Sequence, residues 1–410
     1  MKKNNFKLKS TPMQRKKKCV KILLLLISLV VGLKLFDIRT VANGLTKTEI
    51  ENNLSTSVQE QLDDLDFSEM ENILDGLEQN KFFKDQSFKE KVKSLLNGTY
   101  FTDYSSLFSC LISLIFDNLL KFLPTLLLVI SICLLNNLLS VLKSDSKSTK
   151  GVGDIVTFVC FAVVIVVLII SVKEVISITK STIDNMQRQM QAIFPITLTL
   201  LAAVGNVTTV SIYKPLVAVL SNGIPYIFSY IVYPVFIISF LFIVLNNLSS
   251  NIKLNKFIDF LNSFFKWSTG IVFTIFSTIL ALQGISAGRY DSVSVKATRF
   301  AIKSYVPIIG GYLSEGLDFI VLGSVLIKNA IGMAGLFMVF LTIISPILQI
   351  VVFKLGLQLT AAIIEPMSDG KSASFIIQIS KVLVYPLVLI IGVAFSYILS
   401  LSLIMCTGNI

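Results

Sequence analysis

The sequence predicts an all-α, polytopic helical membrane protein with an internal repeat and a small helical extracytoplasmic region near the N-terminus. Three observations predict it. Several apolar runs reach the roughly 20 residues that a helix needs to cross a bilayer. Only 15% of the 410 residues are charged against 54% hydrophobic, with mean hydropathy +0.78, so a soluble fold of this size would lack polar surface. A set of polar landmarks inside the apolar region also returns in the same order further along the chain.

The first element is a leader, residues 1–44. Arg15, Lys16, Lys17 and Lys18 precede an apolar stretch whose uninterrupted part, 22–33, is short for a span and suited to a signal sequence. Ala42-Asn43-Gly44 reads as a cleavage site, and an uncleaved signal anchor is the alternative. Either way the basic flank stays inside and residue 45 onward lies outside the cytoplasm.

The second element, residues 45–105, is acidic and helical. Ile50, Leu54, Val58 and Leu62 recur at intervals of four, an apolar stripe on a charged helix. Ser68-x-x-Glu71 and Ser87-x-x-Glu90 each read as a capping box, and Asn97-Gly98 as a helix end. Some sixty residues make a thin core, so this region is expected to pack on a partner or on the membrane face.

Charge and composition exclude several functions. Residues 1–44 carry +10 and residues 45–105 carry −7, within a total of +11. Without its leader the chain is near neutrality, at about +1, and no nucleic-acid partner is expected. With no histidine there is no His-based triad, imidazole relay or usual zinc site. The five cysteines (Cys19, Cys110, Cys133, Cys160, Cys406) are scattered with no C-x-x-C, so no disulfide framework, metal or cofactor is expected. No Walker A motif occurs, and deep acids are too few for an intramembrane aspartyl protease. The chain is not expected to be an enzyme.

The third element is a multi-span membrane domain, residues 106–410. An interfacial helix at 107–120 leads into a span at 124–142. A lysine-bearing loop and a span at 155–172 follow. Residues 173–192 are amphipathic, with Lys173, Glu174, Lys180, Asp184 and Arg188 between apolar positions, and a run starting near Pro195 closes at Gly205-Asn206. The plan then returns. Pro124 and the pair Asn136-Asn137 have counterparts 110 residues on, at Pro234 and Asn246-Asn247, and Pro195 matches Pro307. We read repeats at 122–220 and 232–345. Both loops after the Asn pairs carry lysines, which places both in the cytoplasm and makes the repeats parallel. Further spans at 268–287, 319–344, 347–364 and 381–405 bring the expected crossings to six to eight.

Candidate functional residues follow from the cost of polarity in lipid. Lys328 sits inside an apolar run, where a bare charge costs at least about 2.5–3.5 kcal/mol. Asn329 adjoins it, and Gly332 and Gly335 let a neighbouring helix approach closely. Glu315 and Asp318 lie upstream as possible ion-pair partners. This cluster reads either as a polar pathway or as a helix-packing lock. Pro195, and Pro307 with Gly310 and Gly311, read as broken or re-entrant helices, which at membrane depth must be covered by protein or water.

Four stretches resemble the stage III sporulation protein AE family of endospore-forming bacteria. They are residues 61–76, 306–315, 328–335, and Glu365-Pro366-Met367-Ser368-Asp369. The likeness runs in order from leader to C-terminus. It implies an integral subunit of a multi-protein channel complex between mother cell and forespore, required for forespore development. The complex would lie in the mother-cell (outer forespore) membrane, with its N-terminal region between the two membranes. The implied partners are the other subunits, including a separate ATPase, and the lipid bilayer. A stand-alone secondary transporter and a structural membrane scaffold are the alternatives.

Overall fold

Where the chain is apolar it is helical, because inside lipid a backbone N–H or C=O has no water to bond. The computed structural model describes residues 56, 58–75, 87–96, 104–143, 150–248, 254–286, 310–367 and 370–407. All of them fall within one unit, Asn53–Ile410. The leader, the helix end at 97–98 and Pro307 lie outside the described residues.

In chain order the helices are α1 (Ser68–Asp75), α2 (Phe88–Leu96), α3 (Tyr104–Lys143), α4 (Lys150–Ala203), α5 (Val207–Leu248), α6 (Asn255–Ser286), α7 (Gly310–Ile364), α8 (Lys371–Val382) and α9 (Val384–Cys406). Six stretches are long and apolar enough to cross a membrane, within the six to eight expected. Helix α5 is one rod interrupted by two π-turns, Val219–Gly223 and Phe228–Val232.

The continuity of the helices corrects the sequence reading. The interfacial helix and first span form one helix, and α3 runs through Pro124. The second span, the amphipathic segment and the Pro195 run merge into the 54 residues of α4, so Pro195 breaks nothing. The two spans read at 319–344 and 347–364 are one helix, α7, which runs through Pro346 and begins at Gly310 and Gly311. Proline is tolerated in such helices because neighbours re-satisfy the freed backbone groups. At 1.5 Å per residue, α4 and α7 are each about 80 Å long, against about 40–45 Å for a whole bilayer.

Helix α4 stops for a local reason. Gly205 takes the left-handed conformation (φ 93°), its N–H donates to Ala202 O at 2.8 Å, and Asn206 N–H donates to Leu201 O at 3.3 Å. This is a Schellman cap, and it needs glycine at that position.

Helices α4 and α7 are the central antiparallel pair, with 174 beside 349 and 193 beside 335. Helix α3 runs parallel to α7, stacking Phe122 on Phe353 at 4.6 Å, and antiparallel to α4 through Lys121 and Glu174. Helix α5 returns antiparallel to α4, and Tyr233 Oη donates to Ile176 O at 2.9 Å. The C-terminal ends of α3 and α5, which carry the Asn pairs, therefore lie at the same end of the bundle. The outer surfaces carry bare apolar side chains, among them Leu120, Leu138, Ile170, Phe260, Trp267 and Leu359. This is what lipid requires and water penalises.

The acidic region packs on the bundle. Gln61 Nε2 donates to Ile320 O at 3.4 Å and Ser324 Oγ donates to Gln61 Oε1 at 2.8 Å, while Leu62, Met70, Phe88 and Val92 are buried. The capping box forms at Ser87 and Glu90, each side chain bonding the other's N–H at 3.2 Å. At the first site the cap shifts: Ser68 is already helical, and its N–H donates to Asp66 Oδ1 at 2.9 Å.

Lys89 bonds Asp63 at 2.7 Å and holds its carboxyl below the ordinary 3.8, and the Ser68 N–H does the same for Asp66. Depressed carboxylates stabilise a fold above their ordinary pKa and lose that contribution as pH falls through the lowered values. Residues 58–75 and 87–96 should therefore resist cleavage at pH 5 and become sensitive to pepsin progressively below pH 3.8, at a higher pH in Asp63→Asn than in the parent chain.

Candidate functional site

The last helix ends inside the bundle, which leaves a chemical problem. The final carbonyls of a helix have no intrahelical donors, and here Thr407 is buried while Cys406 beside it is exposed. Thr407 turns extended (φ −82°, ψ 137°); its N–H reaches Leu403 O and Ile404 O, and its Oγ1 donates to Leu403 O at 2.8 Å. The carbonyls of Met405 and Thr407 itself are taken by Lys328. Its Nζ donates to Met405 O at 3.1 Å and to Thr407 O. Lys328 is fully buried. A cation at a helix C-terminus meets the negative end of the macrodipole, worth up to about 2 kcal/mol when partly buried. Charge-assisted hydrogen bonds add about 1.5–3 kcal/mol each. Tyr213, fully buried on α5, completes the cluster through a 3.1 Å hydrogen bond between its hydroxyl and Thr407 Oγ1.

The sequence-derived residues fall around this point in specific ways. Gly332 and Gly335 sit one and two turns beyond Lys328, where α9 and α4 press closest. A Cβ on Gly332 would lie 2.4 Å from Met405 Sδ, and one on Gly335 would lie 2.7 Å from Ile193 Cδ1 and 2.9 Å from Leu401 Cδ2. Asn329 is half-buried beside Lys328. Glu315 and Asp318 belong to the same continuous helix. Asp318 lies ten residues before Lys328, about 15 Å of helix rise, and the contacts found for the Lys328 amine are to the carbonyls of Met405 and Thr407. Gly310 and Gly311 open α7, away from this cluster.

The sequence reading named Glu174, Lys180 and Asp184 in the amphipathic segment but not their partners, and it did not single out Gln189 or Gln191. Gln189 donates to Thr342 Oγ1 at 2.7 Å, fully buried between α4 and α7, with its Oε1 unpartnered. Glu174 joins three helices, pairing with Lys121 and accepting from Gln349 Nε2 at 2.9 Å. Lys180 Nζ donates to Asp184 Oδ1 at 2.8 Å and Ser229 Oγ at 2.6 Å, and lies 5.0 Å from the Tyr230 ring. Gln191 Nε2 donates to Asn222 Oδ1 at 2.5 Å. These last two contacts meet α5 at its two π-turns, each of which widens the helix by one residue and turns a polar side chain toward α4. Between them and the α4 terminus lies a cleft of about 590 Å³, lined by Gln191, Pro195, Thr199, Lys214 and Asn222 among others. The signal for these residues was the polar register of 173–192, read as an amphipathic segment.

Long helices with an apolar skin and ordered polar contacts between them define a polytopic membrane protein of the all-α class. The chain belongs to the stage III sporulation protein AE family, whose sequence model matches residues 86–408. It is similar to the stage III sporulation protein AE of Bacillus subtilis (strain 168), at 24% identity over 328 residues, covering 79% of this chain and 81% of that protein. No solved structure matches it.

Replacing Lys328 with leucine strands two buried carbonyls. The variant should lose about 2–5 kcal/mol of stability, seen as a lower unfolding temperature in detergent, whereas Tyr213→Phe should lose only about 1 kcal/mol.

Proposed function

We propose that this chain is a non-enzymatic, channel-forming or channel-scaffolding subunit of the complex that links mother cell and forespore. It would sit in the mother-cell (outer forespore) membrane, with residues 45–105 extracytoplasmic and docking other subunits. A separate ATPase would supply energy. Family membership supports the sporulation role. The observation that carries the membrane part of the reading is the run of polar contacts along α4, from Glu174 to Gln191, in a bundle that leaves many large apolar side chains exposed. Ionisable groups within spans face the bundle interior or a water-filled cavity and are candidate pathway residues.

Affinity recovery from sporulating cells tests this. The intact chain should bring down the other subunits and the ATPase, deletion of residues 45–105 should abolish that recovery, and Lys328→Leu should lower spore yield. Solute uptake by the purified chain alone in liposomes would instead identify a stand-alone transporter. Normal spore yield in both variants would contradict the proposal.

A further inference from the structure

Helices α4 and α5 are joined at Gly205-Asn206 and run back along each other, and the cleft of about 590 Å³ lies between them. Its α4 wall carries Gln191, Pro195 and Thr199, and its α5 wall carries Lys214, Ala218 and Asn222. Each set is spaced by four, so each occupies one helical face. Short residues, Ala202, Ala218 and Ser221 among them, leave open the space that larger side chains would fill between packed helices. From Gln191 to Ala202 the cleft is about 17 Å long at helical rise.

Its surfaces are of two kinds. Phe194, Leu198, Val210 and Val217 are buried and make an apolar floor, with the Phe194 ring backed by Tyr397 of α9, 5.7 Å between ring centres. The rim is polar, but most of its polar groups are already engaged. Gln191 Nε2 donates to Asn222 Oδ1 at 2.5 Å and ties the two walls together at one end, where the π-turn Val219–Gly223 places Asn222. The Thr199 hydroxyl donates to Pro195 O at 2.9 Å. Lys214 is the single cation among the lining residues and is exposed, and among the described residues no ion pair engages it.

A volume of this size is that of a small-molecule site, and the lining sets the chemistry of its ligand. An apolar floor selects hydrocarbon. A lysine amine is a point charge and matches one anionic group, whereas phosphate is ordinarily held by several converging N–H donors or a bidentate arginine. We propose that this cleft binds a single-chain amphiphile with one carboxylate, in chemical terms a long-chain fatty acid, with its chain along the floor and its carboxylate on Lys214 Nζ. The site goes beyond the channel reading and does not rest on it.

The experiment uses the full chain in phosphatidylcholine nanodiscs and a long-chain fatty acid that carries a diazirine near its methyl end. After illumination the labelled residues are mapped by mass spectrometry. The expected result is labelling within residues 190–222 that saturates and is displaced by unlabelled fatty acid, with the uncharged fatty alcohol about tenfold weaker as a competitor. Labelling at 155–170, where α4 exposes apolar side chains, measures non-specific partition and should not saturate. Lys214→Gln should raise the half-saturating concentration about tenfold, while Lys173→Gln, at another exposed lysine, should leave it unchanged. Ala218→Trp fills the cleft and should abolish the saturable labelling; Lys214→Gln adds no bulk and tests the site independently of any strain from the tryptophan. Absence of saturable labelling within 190–222 would overturn the proposal. So would equal competition by the alcohol, or unchanged binding in Lys214→Gln. Displacement of the probe by a two-chain anionic phospholipid as readily as by fatty acid would assign the cleft to a bilayer lipid and overturn it too. These readouts involve neither spore yield nor partner recovery, so the cleft stands or fails apart from the complex.

Discussion

A lysine amine placed over the carbonyl end of the last helix is the interaction on which the rest of this bundle depends. A helix must find donors for its final carbonyls, and α9 finds them on another helix. Lys328 in turn is a cation with no exposed surface, and Met405 O and Thr407 O accept from it. Each group solves the other's problem. The contact also fixes geometry: it sets α9 antiparallel to α7, and Gly332 and Gly335 let the two helices close. Tyr213 ties α5 to the same point through Thr407. Three helices remote in sequence converge on one amine.

From that point the structure spreads along α4, which meets α7 beside Gly335 and α3 through Lys121. Its inner faces carry charge and amide groups that are bonded across to α3, α5 and α7. The two π-turns of α5 fall opposite two of those contacts. An extra residue in a turn spends helical regularity to aim a side chain, and here both turns aim polar groups at the same neighbour. Of these contacts, the Gln191–Asn222 hydrogen bond also borders the cleft between α4 and α5.

How much of this was legible in the sequence varies with the kind of information involved. Lys328, Gly332 and Gly335 stood out because a charge and two glycines are conspicuous in an apolar run. The lysine's partners did not, because they are backbone carbonyls more than seventy residues away and carry no side-chain signature. The upstream carboxylates were the natural guess for a partner, since a sequence shows charged side chains and hides carbonyls. Prolines misled in the same way at positions 124, 195 and 346. Their local preference for a break is real in water but is overridden where neighbouring helices supply the missing bonds. Gly205-Asn206, by contrast, read correctly as an end, since a Schellman cap is written in local residues. The capping box at Ser87 was equally local; at Ser68 a better acceptor, Asp66, stood two residues earlier and took the N–H.

The most direct test of the account is a cross-link beside the lysine. In a chain whose native cysteines are replaced by serine, Gly332→Cys is paired with Met405→Cys. A Cβ on Gly332 would sit 2.4 Å from Met405 Cγ, so the two Cβ atoms fall within about 4 Å, the separation a disulfide needs. The account expects near-complete disulfide formation in native membranes under mild oxidation, and none when Gly332→Cys is paired with Leu387→Cys at the far end of the same helix. A folded chain that leaves the first pair unlinked, or links the second, would contradict it.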